Sequence, residues 1–364
     1  MSLDKGFFSL VGPTLIGQGE CVAMIADDPK YYVAKGVVPA TKDPFSPLID
    51  LIEWLNVKDG HSGSKSARLS AKPIYCIGWD LGGHESAMAR QNNWTVEKLP
   101  NKKSSEKDIE SLGMRLHKEQ AVRENIPARA VSDTLARFKI SQLAPAPSIM
   151  PTDQLQKLYM LCAFSIAAKK AQDRGRVTAI LTSAAGEILS YGIKSHENSI
   201  LHAEVTAIQS LFVNDPDRAS RLKTDQTYLF TTLKPCGMCA GMIAACGSGK
   251  IHVVYGQDDF GEGASNTCLD AKPGMHHKLV QDLKLKDAKQ SILLEELASF
   301  RRRYPGGPIV QRLDDQSPKE LMQAAHGRTL YKVNKYALTQ EESEKKRVMA
   351  HLESFLRMTE VISA

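Results

Sequence analysis

No run in this chain approaches the roughly 18 apolar residues that a membrane-spanning helix needs. The N-terminal Met1-Ser-Leu-Asp-Lys-Gly-Phe-Phe8 also lacks a secretory leader's pattern, because Gly12-Pro13 interrupts its apolar stretch. Seven cysteines are spread over 364 residues: Cys21, Cys76, Cys162, Cys236, Cys239, Cys246 and Cys268. An odd number without a dense, even framework argues against a disulfide-stapled scaffold. A reducing cytoplasm is the expected location, and the Cys236-x-x-Cys239 pair is to be read as metal or redox chemistry first. No internal repeat and no low-complexity tract is visible. The net charge is only +6, which excludes a strongly basic or acidic polyelectrolyte.

What is present is an ordinary globular composition, 42% hydrophobic and 24% charged, long enough for about two domains of roughly 100–200 residues each. The stretch Leu143-Ala-Pro-Ala-Pro-Ser-Ile-Met-Pro151 carries three prolines, each of which disfavours helix in the residue before it. It is the best linker candidate. It divides the chain into an α+β N-terminal domain at 1–145, a central domain at 146–303 and a basic helical extension at 304–364. In the first part, the runs beginning at Tyr31 and Pro73 read as strands, Lys102–Lys118 as a charged helix and Asp59–Ser66 as a loop.

The central part is clearer. Leu155, Leu158, Leu161 and Cys162 recur at helical spacing up to Ala171. Strands follow at Val177–Ser183, Glu187–Ile193, Thr227–Thr232, Lys250–Tyr255 and His277–Gln281, with helices at His202–Val213, Cys236–Cys246 and Asp287–Arg302. This alternation predicts a three-layer α/β/α fold around a mixed five-stranded sheet.

Two clusters open the two helices that lead off strands or loops: His202-Ala203-Glu204, and Pro235-Cys236-Gly237-Met238-Cys239. Residues three apart share one helical face, so Cys236 and Cys239 can meet one ion. Two thiolates and an imidazole are ligands that zinc prefers, and three protein ligands leave the fourth position open, as in a catalytic zinc site. Glu204 is poorly placed to ligate the same metal. It is well placed to move a proton from water to a ring nitrogen and on to departing ammonia. Histidine-x-glutamate followed by proline-cysteine-x-x-cysteine is the signature of zinc deaminases. Two other readings compete with it. A structural zinc needs a fourth ligand, for which Cys246 and Cys268 are candidates, although Cys246 lies two turns beyond Cys239. A redox pair leaves His202 and Glu204 unexplained.

On these residues the sequence resembles the cytidine-deaminase-like superfamily, and within it the tRNA adenosine deaminases, over about residues 152–303. The likeness is densest at Thr232-Leu-Lys-Pro-Cys-Gly-Met-Cys-Ala-Gly-Met-Ile243 and Val253-Val-Tyr-Gly-Gln-Asp258. It resumes at Pro273-Gly-Met-His-His277 and ends at Phe300-Arg-Arg-Arg303. It implies hydrolytic deamination of a base, adenine ahead of cytosine, within RNA. It also implies one catalytic Zn2+ on His202, Cys236 and Cys239, with Glu204 as proton shuttle. Substrate contacts are expected from Ala203, Pro235 and Asn198, the nearest counterpart of the family's asparagine. Departures are Lys234, where the family has glutamate, and Val177-Thr-Ala-Ile180, where it has Pro-Val-Gly-Ala. The competing enzyme reading is a deaminase of a free base, nucleoside or nucleotide. A reading from another class is a catalytically silent binding scaffold. Many proteins of this fold self-associate, so a homodimer, or a protein partner on residues 1–145 or the tail, is expected.

Weaker signals stand beside these. Gly247-Ser-Gly-Lys250 resembles the end of a phosphate loop but lies between a helix and a strand, the reverse of the required order. Gly83-His84-Glu85-Ser86 hints at a decayed His-x-Glu, without a Cys-x-x-Cys partner in that half. From Arg301 the tail holds 12 Lys and Arg against 8 Asp and Glu, compatible with an RNA partner or with a solvated helix surface. Val348, Leu352, Phe355 and Leu356 form an apolar helical stripe expected to pack on the body or on a partner.

Overall fold

The computed structural model describes residues 3–16, 20–27, 30–37, 44–58, 72–91, 94–100, 122–129, 131–141, 143–147, 153–170, 177–195, 200–259, 267–271, 277–279 and 342–362, with isolated positions 18, 105, 107, 110, 198, 264 and 323. The expected helices at 102–118 and 287–302, the loop at 59–66 and Arg301–Arg303 therefore lie outside the described residues or almost wholly so. The chain divides into two compact units, Met1–Thr134 with Glu197–Ile200, and Leu135–His196 with Leu201–Ala364.

The first unit runs α1 (Lys5–Leu15), β1 (Glu20–Asp27), β2 (Lys30–Val37), α2 (Pro47–Lys58), β3 (Ile74–Ile77), α3 (Gly83–Gln91), β4 (Val96–Lys98) and β5 (Val122–Ile126), with α4 (Ser132–Ala136) at its boundary. Its sheet has the order β4-β3-β1-β2-β5. The β1–β2 and β1–β3 pairs are antiparallel; β3–β4 and β2–β5 are parallel. Asp4 starts α1 by accepting from the Phe7 amide at 2.9 Å, an N-cap that satisfies one of the helix's orphan donors. Phe7 and Phe8 then pack with Tyr31, Tyr75, Val22 and Met24 in one apolar cluster.

The second unit runs α5 (Asp153–Lys170), β6 (Thr178–Ser183), β7 (Ile188–Ile193), α6 (Ala203–Asn214), α7 (Pro216–Ser220), β8 (Thr227–Thr231), α8 (Gly237–Gly247), β9 (Ile251–Tyr255), α9 (Cys268–Ala271), β10 (His277–Leu279) and α10 (Glu342–Met358). Its mixed sheet has the order β10-β9-β8-β6-β7, and each of the five expected strands is present. All five residues of β8, and all but the last of β6, are buried, as strands covered on both faces must be. This is the expected α/β/α fold. The helix α5 is buried almost all round, as befits a helix with neighbours on both sides. Its Tyr159, Phe164 and Ile166 share a cluster with Ile180 and Phe230 of the sheet and with Val348, Leu352, Phe355 and Leu356 of α10. The apolar stripe of the tail thus packs inside its own unit. Residues 143–147 are irregular and tied to α10, since the Ala144 amide donates to Ser354 Oγ at 3.0 Å and His351 Nδ1 lies 2.8 Å from the Ala144 carbonyl.

Candidate zinc centre and proton shuttle

Two helix starts build the centre. His202 is the N-cap of α6 and Cys236 the N-cap of α8, and neither side chain caps its own helix. Both side chains are therefore available to a common ligand. The α6 start is brought in by Gly192 on β7. A Cβ there would fall on the Ala203 carbonyl, 2.5 Å from the Ala207 amide nitrogen and 2.9 Å from Thr206 Cβ. Only glycine allows a strand and a helix backbone to approach so closely. The α8 start is set by the loop after β8. The Lys234 amide donates to the Gln257 carbonyl at 2.9 Å, and Gln257 Nε2 donates back to the Thr232 carbonyl at 3.1 Å.

These elements bring the expected ligands together. His202 Nδ1 lies 3.6 Å from Cys236 Sγ and 3.4 Å from Cys239 Sγ, and the two sulfurs are 3.6 Å apart. Tetrahedral zinc with Zn–S of about 2.3 Å and Zn–N of about 2.0 Å requires ligand separations of about 3.5–3.8 Å. The triad fits that ion closely. Among the described residues it is the group of histidine, cysteine or acidic side chains able to hold a metal. Cys246 lies instead in the core, 3.8 Å from the Met242 sulfur.

Glu204, in the first turn of α6, is 3% exposed. Its Oε1 accepts from Thr231 Oγ1 at 2.9 Å, and its Oε2 lies 3.4 Å from Cys239 Sγ. Burial raises its pKa, partly countered by the His202 imidazole. The hydrogen bond from Cys239 holds the Cys236 thiol well below its usual range, whereas burial pushes Cys239 well above it. Burial would lower the His202 pKa, but the charge on Cys236 raises it on balance.

Ala203 and Pro235 are buried beside these ligands in sequence. Asn198 is engaged within the first unit: its Oδ1 accepts from Ile200 N at 3.2 Å and Asn56 Nδ2 at 3.4 Å, and its Nδ2 donates to the Glu53 carbonyl at 3.5 Å. Lys234 pairs with Asp270 at 3.5 Å. Sequence reasoning missed Thr231 as the partner of Glu204, because a buried threonine on a strand looks like any other β-former. It also missed Gly192, although a glycine inside a strand pattern signals close backbone approach.

The second unit has the α/β/α arrangement of a cytidine-deaminase-like fold, with a candidate metal triad at its two helix starts. Residues 167–280, which contain all four central residues, match the Bd3614-like deaminase family. No curated protein matches the chain. Solved structures to which it is similar include a guanine deaminase from Nitrosomonas europaea, at 19% identity over 43% of this chain and 90% of that one, TM-score 0.32. Another is the Aspergillus oryzae Rib2 deaminase, at 19% identity over 47% of this chain and 97% of that one, TM-score 0.31. A third comes from a study of tRNA:A34 deaminases acting at the tRNA wobble position, at 23% identity over 34% of this chain and 92% of that one, TM-score 0.25.

Proposed function

We propose that this chain is a zinc-dependent hydrolase that deaminates a nucleobase within RNA, adenine ahead of cytosine. The observation that carries the reading is the His202–Cys236–Cys239 triangle with sides of 3.4–3.6 Å and Glu204 held against it by Thr231. Zn2+ held by the triad would supply the Lewis acidity that makes water nucleophilic near neutral pH. Glu204 takes the proton of that water and passes it to the ring nitrogen as the new C–O bond forms. It then takes the proton of the newly added hydroxyl and delivers it to the amino group, so that the C–N bond breaks, ammonia leaves and the remaining oxygen becomes the carbonyl. Its burial favours this exchange, because a raised carboxyl pKa lets one group both accept and return a proton. The hydrogen bond from Thr231 fixes which carboxylate oxygen faces the ligands. Asn198, Ala203 and Pro235 are the proposed substrate contacts, the amide of Ala203 being one of the unpaired donors of a helix start.

The RNA assignment is supported by the sequence likeness around residues 232–243 and by the basic surplus of the tail. A base in a duplex hides the reacting carbon, so the substrate is an unpaired or flipped-out base. A cytoplasmic location and a homodimer belong to the same proposal. Among the described residues, no helix is long and apolar enough to cross a membrane.

The test is nucleoside mass spectrometry on cellular RNA, single-stranded DNA and free nucleosides incubated with the protein, with Glu204→Ala as the blank. Inosine or uridine in polymer only with the wild type is the expected result. Conversion confined to the free pool replaces RNA with a metabolite as substrate. No conversion by the zinc-loaded protein in any pool would sink the enzyme reading.

A further inference from the structure

The first unit repeats the framework of the second. Among the described residues of both, a helix is followed by an antiparallel hairpin, a helix, a strand, a helix and a strand: α1-β1-β2-α2-β3-α3-β4 and α5-β6-β7-α6-β8-α8-β9, the second unit also having the short α7 between α6 and β8. The sheet orders coincide, β4-β3-β1-β2 beside β9-β8-β6-β7. So do the directions: β1–β2 with β6–β7 antiparallel, β1–β3 with β6–β8 antiparallel, β3–β4 with β8–β9 parallel. Each unit adds its fifth strand at a different edge, β5 on β2 and β10 on β9.

The two connections that lead into the helices corresponding to α6 and α8 agree to the residue. Ten positions separate the end of the second strand from the start of the next helix, Val37 to Pro47 and Ile193 to Ala203. Both of those helices have 12 residues. Six positions separate the third strand's end from the following helix, Ile77 to Gly83 and Thr231 to Gly237. The first helix packs on the third strand through a stacked aromatic pair in each unit, Phe8–Tyr75 and Tyr159–Phe230, with centroids 4.9 Å apart in both.

The first helical hydrogen bonds fix the equivalence of the ligand positions. Asp50 N donates to the Ser46 carbonyl at 2.8 Å as Thr206 N does to that of His202 at 2.8 Å. Ser86 N donates to the Gly82 carbonyl at 3.1 Å as Ala240 N does to that of Cys236 at 2.8 Å. His202, Glu204, Cys236 and Cys239 therefore correspond to Ser46, Leu48, Gly82 and Glu85. The facing is preserved as well, since a Cβ at Gly82 would lie 3.5 Å from Glu85 Oε2.

The residues present do not fit a metal. Ser46 Oγ accepts from its own helix's Ile49 amide at 3.3 Å. Leu48 and Gly82 offer no ligand atom. Glu85 accepts from Gly82 N at 2.6 Å and from Trp79 Nε1 at 3.2 Å, which turns the fourth position into a helix cap. We infer that residues 5–98 are a second, metal-free and non-catalytic copy of the deaminase framework, so that the chain takes up one zinc ion, held entirely by the second unit.

Metal analysis of the full chain dialysed against Zn2+ tests this. One zinc per chain is expected, falling to none in Cys236→Ser/Cys239→Ser. Two ions in the wild type, or one retained by the double variant, would overturn the inference. The positional equivalence is tested by the variant Ser46→His/Gly82→Cys/Glu85→Cys loaded with Co2+. A second tetrahedral thiolate–cobalt absorption is expected, and a folded variant that still binds a single Co2+ contradicts the correspondence. Should that variant not fold, an experimental structure of the wild type decides. Residues 5–98 must superpose on the framework of α5 to β9 in the stated strand order, and failure to do so removes the duplication. None of these readouts depends on the proposed substrate.

Discussion

The two units share a strand order and the lengths of two connections, yet among the described residues only the second places candidate metal ligands at its helix starts. In the second, the N-cap positions of α6 and α8 carry His202 and Cys236, whose side chains leave their own helices uncapped. In the first, the equivalent positions are spent on local order, with Ser46 capping α2 and Glu85 closing the start of α3. An N-cap side chain is worth about 0.5–2 kcal/mol to its helix. The comparison teaches that a metal triad on this framework is assembled at the expense of capping.

The largest effect should come from the group with no polar counterpart in the copy. Glu204→Gln removes the proton shuttle where the first unit has Leu48, and kcat should fall about 10²–10⁴-fold. Zinc content should stay at the wild-type level, which separates the shuttle from the ligands. Equal activity in the variant would mean that Glu204 does not carry the proton.

Zinc removal comes next. An ion that binds only the folded unit at about a thousandfold excess over its Kd stabilises it by about 4 kcal/mol. Calorimetry with and without a chelator should therefore show the second unit's transition moving down while the first unit's stays fixed. A shift in both, or in the first alone, would break the comparison.

Gly192→Ala probes the close approach that seats His202. The new methyl meets the α6 backbone, which cannot give way as a flexible side chain would. Overpacking of this kind costs about 1–3 kcal/mol. A lowered melting point with weakened zinc affinity is expected, and a neutral variant would show that the helix start is placed by something else.

The smallest effect is the pH dependence of α10 docking. Burial lowers the pKa of His351 below 6.5, and in its neutral form it accepts from the Ile188 amide at 3.2 Å. The unfolded chain takes up this proton as pH falls through about 6.5, while the folded chain does not. The stability contributed here is complete above that pH and declines below it. Denaturation between pH 7 and 5 should show the decline in the wild type, and His351→Gln should flatten it.

Much of the second unit was legible because each feature there is local. The strand runs alternate with helices over short distances, and the two ligand clusters sit at helix starts visible as Ala203-Glu204 and Cys236-Gly237. The stripe of Val348, Leu352, Phe355 and Leu356 announced a buried face, though not the face of α5 that it meets. In the first unit, the runs at Tyr31 and Pro73 stood out and became β2 and β3. The central strand Glu20–Asp27 did not, because six of its eight residues are buried without an alternating pattern. The decayed motif noticed at Gly83-His84-Glu85 turns out to lie where the second unit has its Cys-x-x-Cys, and not where it has His-x-Glu.

By itself, the sequence determined the candidate metal ligands and the candidate proton carrier, because zinc chemistry demands particular atoms and helical spacing brings them to one face. It also determined the mixed sheet of the second unit, through the alternation of short apolar runs. Only the tertiary structure decided that Thr231 orients Glu204, that Gly192 admits the α6 start, and that the first unit has the same strand order. Those facts rest on backbone geometry between segments far apart in the chain. A backbone can keep its course while the side chains that reveal it in sequence are replaced.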